Sequence, residues 1–435
     1  MKKLLSLVLI LSALGFVPST AQQINVEKNN VERIIKTLAA DDMEGRKTFS
    51  KGNDKAADFI ANEFKQIGLK TLDGADGYLQ KFKMYQAKVA DLNIKINGQS
   101  IANEAVGVSS SSENIDWSET QNPDVNTMTV AAGENLYQKF TVLRRSPKNL
   151  LILVDSSHAK LFKGLKNFFK NGTESAQKNG GSSQIWILGN STVANTFSIK
   201  IKQNISEKTL QNVVGIIEGK SKKAEQVIFS GHYDHIGFLK AVDGDSIANG
   251  ADDDASGTTA VIALAKHFKQ TNDNERTLVF VAFTAEEVGG YGSKYFSENM
   301  KPEAVMAMFN IEMIGKESKF GRNTAFITGY EKTDFGKILQ HNLANTDFTF
   351  HPDPYPTQRL FYRSDNATLA RLGVPAHTIS TDQIDIDKFY HSVNDEFETL
   401  AVDNIVQTIK AIALSAKSII AGTETPQRVK KEDVD

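Results

Sequence analysis

The chain has 435 residues, and its 50 lysines and arginines nearly balance its 52 aspartates and glutamates, for a formal net charge of −2. Because no excess of basic residues is present, nucleic acid is not an expected partner. From the length we expect two or three domains. Hydrophobic residues make up 40% of the chain and cysteine is absent, so we expect the domains to be held by their cores, without disulfides or thiolate metal ligands.

The N-terminal residues have the pattern of a secretory signal peptide. Lys2 and Lys3 precede an apolar run, Leu4 to Val17, and small residues follow it. The run is shorter than the roughly 20 residues that span a membrane, although a retained anchor is the alternative. We therefore expect residues 1–21 to be removed and the mature chain to begin near Gln22. It would then lie in the periplasm or outside a bacterial cell, without stable membrane association.

The residues that follow predict two units with different secondary-structure patterns. VERIIKTLAADDMEG and KGNDKAADFIANEFKQIGL carry apolar residues at helical spacing, whereas short strand patterns dominate further on. Asn97 and Gly98 indicate a hairpin turn, and the serine- and asparagine-rich residues 109–126 predict a long loop. We assign three parts: a main domain of residues 22–86 and 207–422, an inserted β-rich domain of residues 87–206, and a frayed polar tail of residues 423–435.

Strand and helix patterns alternate from residue 213 onward. Candidate strands such as QVIFSGH, TLVFVAFT and AVMAMFNIEM are separated by candidate helices such as TTAVIALAKHFKQ and SKYFSENM. This alternation predicts an α/β fold with a doubly wound, mixed but mostly parallel sheet flanked by helices. Ligands of such sheets bind beyond the carboxyl ends of the strands, so the polar residues at those ends form the candidate site.

A histidine and an aspartate lie at the end of the first of these strands. His232 ends QVIFSGH, and Asp234 lies two residues further on. A metal-bound imidazole normally donates its other N–H to a carboxylate, and this spacing can supply that partner locally. The alternative is a loop histidine beside a capping aspartate. His235 competes with His232 as a ligand, and we interpret it as a supporting or structural residue.

Three consecutive aspartates precede a predicted helix. Asp252, Asp253 and Asp254 repel one another unless a cation neutralises them, and capping a helix needs only one acid. One of the acids can bridge two cations while another caps the helix. The pattern itself does not indicate which acid bridges.

Further segments add carboxylates and a second histidine. Glu286 and Glu287 follow TLVFVAFTA, and adjacent side chains of an extended segment point to opposite sides. One of the two can therefore bind metal while the other faces an attacking water. Glu312 lies in an apolar run, where a carboxylate needs a partner such as a metal. His391 lies in a polar loop and is a weaker candidate.

Together these segments offer two histidines and several carboxylates, the nitrogen and oxygen donors that bind zinc in an open catalytic site. The number of carboxylates favours two adjacent metals over one. The sequence H-E-x-x-H does not occur, so the helical mononuclear zinc protease pattern is excluded. We expect His267 and His341, both on predicted helices, to be exposed.

The motifs occur in the order SGHYDHIG, NGADDDASGT, FTAEEVGGYGS, NIEMIG and FYHSVNDEFETL. This set resembles the co-catalytic zinc exopeptidases, metallopeptidase family twenty-eight, which includes bacterial leucyl aminopeptidases and glutamate carboxypeptidase. The resemblance implies the zinc exopeptidase fold, peptide substrates and two Zn²⁺ per chain. It also implies that the inserted domain stands where many members carry a protease-associated domain.

The resemblance assigns a role to each candidate residue. The implied roles are first zinc ligand for His232 and Glu312, second zinc ligand for Glu287 and His391, bridging ligand for Asp253, general base for Glu286, and orienting residue for Asp234. Many members have aspartate where Glu312 stands. Because glutamate is a longer ligand of the same charge, metal binding should survive, while metal spacing or preference can differ.

The implied activity is an exopeptidase, and we favour an aminopeptidase that uses a metal-bridging water and a glutamate base. A carboxypeptidase of the same fold is an alternative. It would need a cation to bind the substrate carboxylate, and the arginines in RLFYRSDNATLARLGVPA could supply one. Glutaminyl cyclase shares the fold but typically works with one zinc. A non-catalytic binding scaffold would have lost ligands or the base, and none is missing here.

Overall fold

The computed structural model describes residues 24–122, 124–144 and 146–434. The expected signal peptide, residues 1–21, lies outside the described residues. Among the residues described, no helix combines the length and the apolar character needed to cross a membrane.

The helices and strands follow one another along the chain. The helices are α1 (Lys28–Leu38), α2 (Lys51–Ile67), α3 (Leu136–Leu143), α4 (Ala159–Asn171), α5 (Ala255–Thr271), α6 (Tyr291–Glu298), α7 (Phe335–Asn342), α8 (Asn366–Ala370), α9 (Val402–Ser415) and α10 (Lys417–Ile420). The strands are β1 (Leu79–Ile96), β2 (Gln99–Ser100), β3 (Val106–Ser109), β4 (Asn114–Ser118), β5 (Asn126–Val130), β6 (Leu150–Asp155), β7 (Thr173–Ser175), β8 (Gln184–Gly189), β9 (Phe197–Ile217), β10 (Lys222–His232), β11 (Gly237–Val242), β12 (Asp245–Ala248), β13 (Arg276–Phe283), β14 (Val305–Ile311), β15 (Thr324–Ile327), β16 (Thr349–Pro352) and β17 (Ala376–Ser380).

One large sheet forms the centre of the molecule, with the strand order β16-β15-β17-β14-β10-β13-β9-β1-β2. β10 pairs in parallel with β13 and β14, and β14 pairs in parallel with β17, whereas β9 and β1 add antiparallel strands at one side. Side chains of β13 alternate between two apolar layers: Phe280 belongs to the layer that includes residues of α1, α2, α5 and α9, and Val281 belongs to the layer that includes residues of α6 and α8. The predicted mixed, mostly parallel α/β sheet with flanking helices is confirmed.

A smaller sheet, with the strand order β3-β8-β6-β5, lies within the segment predicted to be inserted. Helices α3 and α4 pack on it, and the rings of Phe140 and Trp186 meet there with centroids 5.2 Å apart. The long strands β1 and β9 pair from residue 79 to 96 and from residue 197 to 213, so both run through the predicted boundaries at residues 87 and 206. The small sheet is therefore connected to the large one by continuous strands.

Two local predictions about this segment have opposite outcomes. The hairpin turn at Asn97 and Gly98 is confirmed, because Ile96 pairs with Gln99 on either side of it. The long loop predicted over residues 109–126 is wrong in part, because β4 lies within it and pairs with β9. The alternation of polar residues with Ile115 and Trp117, both buried, explains this short strand.

The prediction of a frayed C-terminal tail is also wrong for the described residues of that tail. Val429 is buried, and the Arg428 guanidinium donates to the carbonyl oxygen of Val305 at 2.6 Å. The tail packs because Pro426 and Val429 are buried and Val434 packs against the apolar layer beside the large sheet, while the charged residues around them remain at the surface.

Candidate metal centre

Three neighbouring strands deliver their polar residues to one edge of the large sheet. His232 is the last residue of β10, Glu286 and Glu287 follow β13, and Glu312 follows β14. Because β10 is parallel to both neighbours, the carboxyl ends of all three strands meet. Asp253 lies just before α5, which begins at the same edge. The strand order thus brings the predicted residues together.

Asp253 lies between two histidines that come from distant parts of the chain. Its Oδ1 atom is 3.2 Å from His232 Nε2, and its Oδ2 atom is 3.3 Å from His391 Nε2. His391 Nε2 is also 3.1 Å from Glu287 Oε2. Two ligand atoms bound about 2.0–2.1 Å from one tetrahedral zinc lie about 3.3 Å apart. The separations therefore fit ligand atoms that surround a bound zinc ion.

Several buried polar atoms of this group lack hydrogen-bond partners among the described residues. They include Glu312 Oε2, and also His232 Nε2 and Glu287 Oε1, which lie close to Asp253 and His235 but not in hydrogen-bond geometry. A buried polar atom without a partner costs about 1–3 kcal/mol, and more when the group is charged. A bound cation would satisfy these atoms, and imidazole nitrogens with carboxylate oxygens are donors that zinc prefers. The residues present therefore fit a zinc centre.

A cleft opens beside this group, and Glu286 lines it together with Asp253, Glu287, Glu312 and His391. Burial raises the pKa of Glu286 well above its usual range, and the neighbouring carboxylate of Glu312 adds to the effect. Burial likewise raises the pKa of Glu312 to about 7. A carboxyl group with a raised pKa can both accept and return a proton near neutral pH.

Asp234 contacts His232 through its backbone rather than through its side chain. The Nδ1 atom of His232 lies 3.1 Å from the Asp234 carbonyl oxygen but 3.9 Å from Oδ1. The Asp234 carboxylate instead accepts the backbone N–H groups of Glu286 at 3.0 Å and of Glu287 at 3.3 Å. The hydrogen bond expected between the Asp234 carboxylate and the His232 ring is thus replaced by one to the Asp234 carbonyl oxygen. The Asp234 side chain instead aligns Glu286 and Glu287.

The other two aspartates of the triplet have structural partners. Asp254 Oδ1 accepts the backbone N–H of Gly257 at 3.0 Å and caps α5, which agrees with the expectation that one acid caps the helix. Asp252 Oδ1 accepts the backbone N–H of Gly315 at 2.6 Å. Asp254 Oδ2 also accepts the backbone N–H of His232 at 3.0 Å, so among the three acids Asp253 is the one whose carboxylate contacts the histidine rings.

His235 takes a larger part in the centre than the sequence indicated. Its ring is buried, and its Nδ1 atom lies 2.9 Å from Glu287 Oε1 and 3.7 Å from Asp253 Oδ2. These three residues alone could hold a metal ion by their mutual distances. The signal in the sequence was the spacing SGHYDHIG, which places a second histidine one residue after Asp234.

Two residues that sequence reasoning missed hold the ligand-bearing loops. The Asp395 carboxylate accepts the backbone N–H groups of Asp252 and Asp253, each at 3.0 Å. The guanidinium of Arg46 is completely buried and donates to the carbonyl oxygens of Tyr233 at 2.7 Å and Asp253 at 3.3 Å. Both residues connect backbone rather than side chains, which is why the motif spacing gives no sign of them.

Residues 212–416 match the model of Peptidase family M28. These residues belong to that family. The matched segment begins in β9 and ends after α9, so it contains every residue of the centre apart from the supporting Arg46.

Curated relatives cover part of the chain. Aminopeptidase YwaD of Bacillus subtilis is 21% identical over 254 residues, which cover 54% of this chain and 50% of the relative. Leucine aminopeptidase 1 of Pyrenophora tritici-repentis is 28% identical over 252 residues, which cover 52% of this chain and 61% of the relative. The chain thus spans between half and about three fifths of the length of these relatives.

A solved structure supports the fold. BSAP, a zinc aminopeptidase from Bacillus subtilis, superposes with a TM-score of 0.56 at 14% identity and covers 95% of this chain and 98% of its own. At this identity the similarity concerns the arrangement of the elements, namely the large mixed sheet with helices on both faces.

Proposed function

We propose that this chain is a zinc-dependent aminopeptidase, which hydrolyses the peptide bond after the first residue of a peptide. The observation that carries the proposal is the position of Asp253, whose two oxygens lie 3.2 and 3.3 Å from His232 and His391. The family match and the names of the curated relatives support the same reading.

The proposed ligand set contains five residues in two groups. His232 and Glu312 would hold one zinc ion, Glu287 and His391 would hold a second, and Asp253 would contribute to both. Zinc in such a centre supplies a Lewis acid for the peptide carbonyl and lowers the pKa of a water molecule. The requirement for two ions rests on the shared carboxylate, since a single tetrahedral ion would not need all five residues.

Glu286 is the proposed general base. It accepts a proton from the attacking water and returns it to the amine of the departing peptide, a role that suits a carboxyl group with a raised pKa. The hydrogen bond from its backbone N–H to Asp234 Oδ1 fixes the start of its side chain. Asp234 is therefore proposed as a positioning residue for the base.

The lining of the cleft suggests the kind of peptide that binds. Carboxylates of Glu286 and Glu312 lie on its wall, where an N-terminal ammonium group would find opposite charge. Apolar and aromatic side chains also line the cleft, namely Met313, Phe326, Leu360, Ile384 and Tyr390. We therefore expect peptides with an apolar first residue to be preferred.

A carboxypeptidase of the same fold is the second candidate, because Arg363 also lines the cleft. Its guanidinium donates to Gln358 Oε1 at 3.1 Å. A guanidinium has further donors and could bind a substrate carboxylate. This candidate predicts turnover of peptides with a blocked amine and a free C-terminus.

Free-amine nitroanilides of leucine, phenylalanine, lysine and glutamate, together with acetylated peptides that have a free C-terminus, separate these candidates. The aminopeptidase proposal predicts release of nitroaniline from the free-amine compounds, fastest for leucine and phenylalanine. Activity should disappear with a chelator and return with zinc. Turnover of acetylated peptides from their C-terminus, without turnover of any free-amine nitroanilide, would replace the proposal with the carboxypeptidase.

Two further parts of the proposal concern the ends of the main domain. We propose that residues 1–21 direct export to the periplasm or beyond, which intact mass measurement of the mature protein tests by a start near Gln22. We also propose that residues 87–206 form a domain like the protease-associated domain. The small sheet with its own apolar layers supports this assignment.

A further inference from the structure

A second group of acids lies beside the zinc ligands without belonging to them. Asp252 precedes Asp253, Asp382 follows β17, and Asp387 lies in the loop that leads to His391. One oxygen atom from each of the three acids lies within 4.8 Å of the other two. The group therefore joins the loop before α5 to the loop that carries His391.

Four carboxylate oxygens of this group are buried and have no hydrogen-bond partner among the described residues. They are Asp252 Oδ2, both oxygens of Asp382, and Asp387 Oδ2. Asp252 is 0% exposed and Asp382 is 3% exposed. Asp382 lines the same cleft as the zinc ligands, but the unpaired oxygens are themselves buried, and this is costly unless a positive charge or protons are present.

The nearest ammonium group has other partners. Lys316 Nζ donates to the hydroxyl and carbonyl oxygens of Thr399 at 2.6 and 3.2 Å, and it lies 4.6 Å from the centroid of the Phe389 ring. Lys316 still acts on Asp252 through its charge. Three carboxylates and one lysine leave an excess of two negative charges, to which the neighbouring Asp395 adds, and a divalent cation would reduce this excess.

We propose that Asp252, Asp382 and Asp387 bind a hard divalent cation of the calcium type, separate from the zinc ions. Oxygen atoms bound at 2.3–2.6 Å from one Ca²⁺ can be at most about 5 Å apart, and the three acids meet this limit. The donors are all oxygen atoms, without the imidazole that favours zinc. The cation would hold the loop of residues 383–390, and with it His391, against Asp252.

Protons are the competing way to neutralise this group. Burial, together with the nearby carboxylates of Asp252 and Asp387, raises the pKa of Asp382 to about 9, so a proton shared between two acids would also reduce the charge. The two possibilities differ in whether calcium binds. A cation site binds calcium until it is saturated, whereas a group neutralised by a shared proton does not bind it.

Calcium binding to the full chain tests the proposal without any catalytic readout, so it does not depend on the peptidase activity. Zinc-saturated protein is dialysed against calcium, both metals are counted by mass spectrometry, and thermal unfolding is followed at increasing calcium. We expect one calcium per chain and a rise in Tm. In Asp387→Asn the affinity should fall by about tenfold or more, the usual size for a damaged metal site.

Asp385→Asn is the matched control, because Asp385 lies exposed in the same loop. It should bind calcium like the unchanged chain. Asp382→Asn is the second variant, in case Asp387→Asn binds calcium through the two remaining acids. The proposal would be overturned if the zinc-saturated chain took up no calcium. It would also be overturned if Asp387→Asn and Asp382→Asn both bound calcium as tightly as the unchanged chain.

Discussion

The Oδ1 atom of Asp234 accepts the backbone N–H of Glu286 at 3.0 Å. This hydrogen bond connects the end of β10 to the end of β13, the two strands that supply His232 and the glutamate pair. Asp234 is completely buried, and its other oxygen accepts the hydroxyl of Thr48 at 2.9 Å. The position of the proposed base is thus fixed by a residue that belongs to the histidine segment.

Replacing Glu286 with glutamine should abolish most turnover and leave the metal content unchanged. Glutamine keeps the size of the side chain but cannot accept a proton, and general base catalysis contributes about 10²–10⁴-fold to rate. Steady-state kinetics and zinc analysis of Glu286→Gln check this. Glu298→Gln, a change at an exposed residue on α6, should have normal kinetics. Full activity of Glu286→Gln would remove Glu286 from the mechanism.

Replacing His235 with glutamine should weaken zinc binding by about 10–100-fold, the usual effect of losing a supporting group at a metal site. The reason is its contact with Glu287, at 2.9 Å. Zinc affinity measured with a competing chelator tests the effect. His267→Gln is the control, since His267 is also buried but lies on α5. Equal affinities of the two variants would show that His235 only fills space.

Replacing Arg46 with methionine should destabilise the protein by about 3 kcal/mol or more. The carbonyl oxygens of Tyr233, Gly250 and Asp253 would lose a buried charged donor, and each unpaired group costs about 1–3 kcal/mol. Urea denaturation measures the change. Arg322→Met removes a guanidinium that forms an ion pair with Glu317 at the surface and should cost about 1 kcal/mol or less. Similar losses in both variants would contradict the role given to Arg46.

The stability of the protein should depend on pH through His377. Burial lowers the pKa of this histidine to about 4 from 6.5, so the unfolded chain takes up the proton first as the pH falls. The stability that the neutral ring contributes is complete above pH 6.5 and is lost between 6.5 and 4, by roughly 3 kcal/mol at pH 4.

Unfolding measured in urea between pH 7.5 and 4 tests this dependence. His377→Gln should lose roughly 3 kcal/mol less over this range than the unchanged chain. His341→Gln changes an exposed histidine and should behave like the unchanged chain. Parallel pH curves for the unchanged chain and His377→Gln would show that other groups cause the loss.

The sequence predicted the large sheet and the ligand-bearing strand ends because both depend on local patterns. Apolar runs specify the strands of a buried parallel sheet, and polar residues at their ends must meet at one edge. His267 was predicted to be exposed and is buried, because α5 is covered on nearly all sides. The apolar character of TTAVIALAKHF around the whole helix is the signal that should have indicated burial.

Contacts between distant backbone segments could not be predicted in this way. Arg46 and Asp395 bind main-chain groups of the loop around Asp253, and motif spacing does not indicate which distant backbone groups a side chain will reach. The strand β16 was missed because four residues that end in Pro352 give too short a pattern. Such features follow from the tertiary fold rather than from the periodicity of the chain.

Zinc content tests the central claim of a shared two-metal centre most directly. Protein saturated with zinc, freed of excess metal and analysed by mass spectrometry should contain two zinc ions per chain. Asp253→Ala should contain fewer than one, because the bridging carboxylate contributes to both ions, whereas Asp385→Ala should retain two. One zinc per chain in the unchanged protein, or two in Asp253→Ala, would contradict the account.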